Sequence, residues 1–227
     1  MVSLVSRVSF IILLVSAASS PLLAHADEAR SAPSATSSGR ALFEQAFRRL
    51  KDARRFEFRE TVAILHQLEK TTPGTNHYYI AFLAPNRMAT TLHTSRASHG
   101  VTQLETIQVG QTKCQRPPGW VCFPSPSPNA GNLIQTLLTP QMRQVSFRST
   151  SVSLGSPTAK ATEILASWQG SGLVYEGTLL LQPKSGPPLS FRSSVRVHGE
   201  LEIQQSASFD YTKPLSIKLP RSKRVVP

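Results

Sequence analysis

Two consecutive stretches near the carboxyl end of the chain decide its fold: Leu189-Ser-Phe-Arg-Ser-Ser-Val-Arg-Val197 and Leu201-Glu-Ile-Gln-Gln-Ser-Ala-Ser-Phe-Asp-Tyr211. In both of them apolar residues alternate with Ser, Arg, Glu and Gln. A period of two is typical of a strand in an antiparallel sheet that has one covered face and one hydrated face. Gly186-Pro187-Pro188 precedes the first stretch, and Gly199 marks the turn between the two. Because both connections are short, consecutive strands should be neighbours in the sheet, as in a meander.

The same period extends toward the amino end of the chain. Phe56, Phe58, Val62 and Ile64 alternate with polar residues or alanine. Further strands are predicted at His77–Leu83, Arg87–Thr94, Thr102–Val109, Tyr175–Leu181 and Leu215–Leu219. A sheet with so many strands tends to curl, so a flat sheet is not expected.

Two segments have the spacing of a helix instead. In Arg40–Arg54 and Asn129–Leu138 the apolar residues recur every three or four positions, which gives each segment one apolar side. The sequence therefore predicts an α+β fold, in which a curled antiparallel sheet (an incomplete β-barrel) has helices covering its concave apolar face. This domain would span residues 40–220, between a flexible linker at 27–39 and a disordered basic tail at 221–227.

Residues 1–26 have the features of a cleavable secretory signal peptide. Arg7 supplies a positive charge, Val8–Leu14 is the apolar core, and Ala24-His25-Ala26 offers the small residues of a cleavage site. A membrane anchor is the alternative, but the strongly apolar run is too short to span a bilayer core of ~30 Å. No cysteine lies near the cleavage site. We therefore expect export to a periplasm, a cell-wall space or the medium, without a lipid anchor.

The formal net charge of +12 favours anionic partners. Nucleic acid, anionic lipid head groups and anionic polymers of a cell envelope all fit this charge, and export disfavours nucleic acid. An anionic membrane surface is therefore a candidate partner. Arg192, Arg196 and Lys218 are expected on the outer face of the sheet, where they would either meet such a surface or simply be solvated.

Cys114 and Cys122 are the two cysteines of the chain. The sequence around them reads as two strands on either side of Pro117-Pro118-Gly119. A three-residue loop there sets the cysteines directly opposite each other, at a Cα separation of ~4.5–5.5 Å that a disulfide can bridge. An oxidising compartment favours the disulfide. Zinc is the alternative, but it needs more ligands and a closer pair spacing, so we predict a disulfide and no metal.

Four segments follow one another along the chain in a suggestive order. They are the helix leading into Phe56-Glu-Phe-Arg-Glu-Thr61, then Tyr79-Ile-Ala-Phe-Leu-Ala-Pro-Asn-Arg-Met88, then Glu105-Thr-Ile-Gln-Val-Gly110 followed by Gly119-Trp120, and Phe209-Asp-Tyr-Thr-Lys-Pro-Leu-Ser-Ile-Lys-Leu-Pro220. The order of these segments resembles that of the LolA/LolB-type lipoprotein-carrier superfamily, which includes LppX/LprG-type lipid-binding proteins. The resemblance covers most of residues 40–220. The resemblance implies an incomplete barrel with helices over an apolar cavity that binds acyl chains of a lipid or a lipoprotein.

Eight apolar residues of the predicted strands are candidates for lining such a cavity. They are Phe58, Val62, Leu179, Leu181, Phe191, Val195, Ile203 and Phe209. The alternative for all eight is that they are ordinary core residues packed beneath the helices. Glu60 is the polar residue on the otherwise apolar face of the Phe56–Ile64 stretch. We expect it to lie near an open end of the barrel and stay hydrated, and the alternative is a hydrogen bond to the head group of a ligand.

The chain contains no Gly-x-Ser-x-Gly elbow, no His-Glu-x-x-His pair and no phosphate-binding glycine loop. Glu57 and Glu60 fall on opposite faces of one strand, so they do not form the facing carboxylates of a glycosidase. We predict a non-catalytic protein without a cofactor, an extracytoplasmic carrier or sensor that binds lipid or acylated protein. The alternatives are an envelope-stress regulatory or interaction module that binds a protein partner through the same fold, and a hydrolase.

Overall fold

The computed structural model describes residues 35–66, 71–96, 100–116, 118–138, 145–153, 160–170, 172–197, 201–221 and 224–225. The predicted signal peptide and the first part of the predicted linker, residues 27–34, lie outside the described residues. Among the described helices, none combines the length and the apolar character needed to cross a membrane.

The described residues form two helices and twelve strands. The helices are α1 (Ala35–Lys51) and α2 (Ala130–Leu138). The strands are β1 (Arg55–His66), β2 (Thr71–Leu83), β3 (Arg87–Arg96), β4 (Gly100–Val109), β5 (Thr112–Arg116), β6 (Val121–Pro124), β7 (Ser146–Ser153), β8 (Lys160–Gly170), β9 (Leu173–Leu181), β10 (Pro188–Val197), β11 (Leu201–Asp210) and β12 (Arg224–Val225).

All twelve strands belong to one sheet with the order β12-β6-β5-β4-β3-β2-β1-β11-β10-β9-β8-β7. The strands β1 to β6 form one antiparallel meander and β7 to β11 form another. Pairing between β1 and β11 joins the two, and short β12 adds to β6 in parallel. The sheet is not closed. The predicted α+β fold, a curled antiparallel sheet with covering helices, is confirmed.

Both helices pack on one face of the sheet. The apolar stripe of α1 buries Phe43, Phe47 and Leu50, and α2 buries Ile134 and Leu138. These side chains form one hydrophobic cluster with the apolar residues of the strands. We call this the core face of the sheet and the opposite side the outer face. The core thus lies between the two helices and the core face. Every second side chain of each strand points into it, because successive side chains of a strand alternate between the two faces.

The predicted disulfide is confirmed. Cys114 in β5 and Cys122 in β6 are register partners with Cα atoms 4.0 Å apart, and both are fully buried. Beside them the Arg116 guanidinium lies 5.0 Å from the centre of the Trp120 ring. Within the described ranges, no three side chains of His, Cys, Asp or Glu are grouped so that they could hold a metal ion.

The structure differs from the sequence-based prediction in four places. Helix α1 begins at Ala35 and ends at Lys51, so part of the predicted linker is helical. The strands β7 and β8 had not been predicted. Leu215–Leu219 is not a strand: this segment is irregular, although Ile217 is buried and its carbonyl accepts a hydrogen bond from Arg87 at 3.5 Å. The basic tail contributes β12 instead of being wholly disordered.

One contact between the helices depends on a glycine. At Gly131, near the start of α2, an added Cβ would lie 2.7 Å from Cγ and 3.0 Å from Cα of Lys51 at the end of α1. The 2.7 Å distance is shorter than real Cβ contacts, and 3.0 Å to a backbone atom is tighter than most of them, so a larger residue requires Lys51 to shift.

We therefore expect Gly131→Ala to destabilise the fold, although alanine favours helix formation. The strain of overpacking, about 1–3 kcal/mol, should exceed the gain in helix propensity of about 1 kcal/mol. Urea unfolding followed by circular dichroism measures the difference. Gly119→Ala is the matched control, because an added Cβ there meets no atom within 4 Å. A Gly131→Ala protein as stable as the Gly119→Ala protein would contradict this account of the helix contact.

Candidate functional site

The eight predicted lining residues fall into two groups in the structure. Five of them are buried in the hydrophobic cluster beneath the helices: Phe58, Leu179, Leu181, Phe191 and Phe209. The other three are half-buried: Val62, Val195 and Ile203. The first group is therefore core in this structure, and the role of either group in binding a ligand stays a prediction.

The half-buried group belongs to two apolar rows that cross the core face along the border of the hydrophobic cluster. Cross-strand pairing aligns the first row over five strands, from β1 to β8: Ile64, Ile203, Val195, Tyr175 and Trp168. A second row follows on β11, β10 and β9: Leu201, Val197 and Leu173. All of these except Tyr175 are half-buried. We call them the distal apolar rows. Tyr175 belongs to the hydrophobic cluster, Val195 and Trp168 pack against it, and the other side chains continue the apolar surface along the strands.

A small polar cluster, Glu60, Ser193 and Gln205, lies on the core face between the hydrophobic cluster and the distal apolar rows. The Gln205 side-chain amide donates to Oε1 of Glu60 and, at 3.1 Å, to the carbonyl of Leu137 near the end of α2. Its oxygen accepts a hydrogen bond from the Ser193 hydroxyl at 3.0 Å. One amide therefore connects β1, β10 and β11 with the second helix.

Glu60 is the ionisable member of the polar cluster. Its side chain is 3% exposed, and within the described part of the chain its Oε2 atom has no hydrogen-bond partner. Burial raises the pKa of the Glu60 carboxyl to about 7, and the hydrogen bond from Gln205 offsets only part of this rise. The prediction that Glu60 stays hydrated was wrong, because Gln205, itself bound to the end of α2, lies against it.

Tyr175 carries a second buried polar atom without a partner among the described residues, its hydroxyl. The ring leans along β9 over Gly177, where an ideal Cβ would lie 2.4 Å from the hydroxyl oxygen. Gly177 is the register partner of Ser193, which in turn pairs with Gln205. The unpartnered hydroxyl therefore lies over the row that contains two members of the polar cluster. Burial also raises the pKa of Tyr175 well above its ordinary value.

Glu57, three residues before Glu60 in the chain, shows the opposite behaviour on the outer face. It accepts hydrogen bonds from Tyr79 at 2.8 Å, from Lys213 at 2.9 Å and from Arg59 at 3.3 Å. Burial alone would raise the pKa of the Glu57 carboxyl, but these donors together outweigh it and lower that pKa. Glu57 is therefore a satisfied structural carboxylate, whereas Glu60 is a buried carboxyl with no counter-charge among the described residues.

Of the basic residues expected on the outer face, Arg192 and Arg196 lie there on β10, and Lys218 lies in the irregular segment after β11. Arg192, Arg196 and Lys218 all have exposed side chains. Arg196 pairs with Glu176 across β10 and β9 at 3.3 Å. Contact between these residues and an anionic membrane surface stays a prediction.

Sequence reasoning found Glu60 but missed Ser193, Gln205 and Tyr175 as members of one polar region. A signal was present in the alternation of β11. Gln205 falls between Ile203 and Ala207 at a period of two, so it shares their face and is a polar residue in an apolar row. Ser193 occupies the same kind of position between Phe191 and Val195.

Comparison with known proteins gives structural matches alone. No protein-family model matches the chain, and no curated protein sequence matches it. LprF from Mycobacterium bovis matches with a TM-score of 0.42 and 10% identity, over 81% of this chain and 97% of that one. A LolA superfamily protein from Nitrosomonas europaea matches with a TM-score of 0.31 and 6% identity, over 78% and 94%. A DUF1329 family protein from Desulfovibrio piger matches with a TM-score of 0.31 and 10% identity, over 81% and 96%.

The LolA superfamily, which the sequence resembles, is thus represented among these matches. All three TM-scores are below 0.5 and no identity exceeds 10%, so the likeness carries no assignment of function.

The raised pKa of Glu60 predicts a pH dependence of stability. Between the ordinary value of 4.5 and about 7, the folded protein retains a proton that the unfolded chain has lost. The free energy of unfolding should therefore fall as the pH rises through this window and level off above it, by about 3 kcal/mol in all. Glu60→Gln has no such proton and should remove this part of the slope.

Urea unfolding of both proteins from pH 4 to 8 measures the effect as the difference between their stabilities. Glu44→Gln on the exposed side of α1 is the control and should reproduce the parent curve. If the stabilities of the Glu60→Gln and parent proteins change with pH in parallel over the whole range, the pKa of the Glu60 carboxyl is not raised by burial, and this account is wrong.

Proposed function

We propose that this protein is an extracytoplasmic, non-catalytic carrier or sensor that binds a hydrophobic ligand, such as the acyl chains of a lipid or a lipoprotein. The observation that carries the proposal is the pair of distal apolar rows. They present half-buried side chains from adjacent strands on the core face, next to a buried carboxyl without a counter-charge.

The distal apolar rows suit an acyl chain in size and chemistry. The first row crosses five strands, and at about 4.8 Å between strands it is about 19 Å long, the length of an extended fatty acyl chain. Each methylene that leaves water contributes about 0.8 kcal/mol, so a chain lying along this row would be held firmly. Branched and aromatic side chains such as Ile203 and Trp168 offer it a continuous apolar contact surface.

The polar cluster supports the proposal at the inner border of these rows. Below about pH 7 the Glu60 carboxyl is neutral and can donate a hydrogen bond from its second oxygen. The Tyr175 hydroxyl is a second donor without a partner in the described residues. An ester or carboxyl oxygen of an amphiphile would satisfy either group, each of which otherwise loses hydrogen bonds on burial.

Export is the remaining part of the proposal. The amino-terminal sequence has the charge, apolar core and small residues of a signal peptide. The Cys114–Cys122 disulfide supports an oxidising compartment, because disulfides persist outside the reducing cytosol.

We expect Ile203→Asn to weaken the binding of an acyl probe such as cis-parinaric acid at least tenfold. The substitution places an amide in the middle of the first distal row, where the probe would leave it without a hydrogen bond. Fluorescence titration gives the dissociation constants. Ser208→Asn is the matched control, because the same residue is introduced on the exposed face of the same strand. Equal affinities for the two variants would argue against the distal rows as the binding surface.

A second experiment tests the natural ligand. Native mass spectrometry of the protein purified from its own host, followed by organic extraction, should reveal a stoichiometric lipid. An unliganded mass that is unchanged after incubation with envelope lipids would overturn the carrier proposal. In that case a protein partner bound through the same fold becomes the better hypothesis.

A further inference from the structure

The outer face of the sheet contains a cleft that the proposed carrier function does not use. Its volume is about 800 Å³, and it extends over β1, β11, β10, β9, β8 and β7. Register pairing aligns one row of its lining across these six strands: Thr61, Ser206, Arg192, Thr178, Leu165 and Arg148. Leu165 is 42% exposed, which agrees with a position away from the hydrophobic cluster.

The lining of this cleft is dominated by hydroxyl and amide groups. The adjacent row contains Ser167, Ser194 and Gln204. Within the described part of the chain, the side chains of Thr178 and Ser206 form no hydrogen bond with another residue, so both hydroxyls are available. Hydroxyl groups donate and accept hydrogen bonds, which makes such a surface complementary to a ligand that is itself rich in hydroxyl groups.

Two arginines give the cleft a positive charge. Arg148 and Arg192 are exposed, and neither forms an ion pair with a described residue. Other arginines of the sheet do form ion pairs: Arg59 pairs with Glu57, and Arg116 pairs with Glu105. The Glu176 carboxylate in the cleft forms an ion pair with the Arg196 guanidinium, with 3.3 Å between nitrogen and oxygen. The two unpaired guanidinium groups are therefore available for bidentate bonds to carboxylate, sulfate or phosphate.

The spacing of the two arginines indicates the size of the ligand. Arg148 lies on β7 and Arg192 on β10, which are three strand spacings or about 14 Å apart at the backbone. A single small anion is poorly matched to both sites, whereas a chain of sugar units with several anionic groups fits their separation. Leu165, between the two arginines in the row, offers an apolar contact for the C–H face of a sugar ring.

We propose that this cleft binds an anionic oligosaccharide. Arg148 and Arg192 hold its anionic groups, and the hydroxyl row formed by Thr178 and Ser206 recognises its sugar hydroxyls. The side chains that carry this proposal lie on the face opposite the distal apolar rows.

Calorimetric titration of the purified protein with trigalacturonate and with a heparin-derived tetrasaccharide tests this site. At least one of them should bind saturably, and maltotriose and inorganic phosphate should bind at least tenfold more weakly. Arg148→Gln and Arg192→Gln should each weaken binding roughly tenfold, as expected for the loss of a charge-assisted hydrogen bond. Both side chains are exposed, so the thermal stability of these variants should not change.

Arg48→Gln on the exposed side of α1 is the control for net charge, and Ile203→Asn is the control for the acyl site. Both should bind the oligosaccharide as the parent does. The proposal is overturned if neither charged oligosaccharide binds, if phosphate binds as tightly as they do, or if Arg48→Gln weakens binding as much as the cleft variants.

Discussion

The pairing of β1 with β11 is the contact on which the rest of the structure depends. These strands are paired from Glu57 and Asp210 at one end to His66 and Leu201 at the other. The pairing merges two meanders, each built from local turns, into one sheet, and it places the Phe58 ring 5.1 Å from the Phe209 ring in the core. Bringing such distant segments together costs chain entropy, and burial of the aromatic cluster across the seam is the contact that offsets it.

The same seam creates the unusual polar cluster. Gln205 reaches Glu60 because their strands are neighbours, although the two residues are 145 positions apart in the chain. Glu57 and Glu60 then show how much the face of a strand matters. The outer face supplies Lys213, Tyr79 and Arg59 to Glu57, whereas the core face supplies one neutral amide to Glu60. The pKa values of two carboxyl groups in one strand therefore move in opposite directions.

Alternation predicted the strands in which one face is consistently apolar, such as β1, β10 and β11. It failed for β7, because Ser146–Ser153 is mostly serine and threonine and offers Phe147 alone as a large core side chain. Leu215–Leu219 does alternate, but its residues lie over an already paired sheet, so Ile217 is buried without strand pairing. The burial of Glu60 was unpredictable locally, since it depends on Gln205 and α2.

The two proposed sites share strands but are separated by the sheet itself. Neighbouring residues such as Ser193 and Ser194, or Gln204 and Gln205, point to opposite faces, so one strand serves both sites with alternate side chains. The backbone between them is fully engaged in cross-strand pairing, and a register slip would exchange the two faces. The sheet therefore presents two chemically distinct surfaces, one apolar beside the buried Glu60 carboxyl and one polar with two arginines that form no ion pair with a described residue.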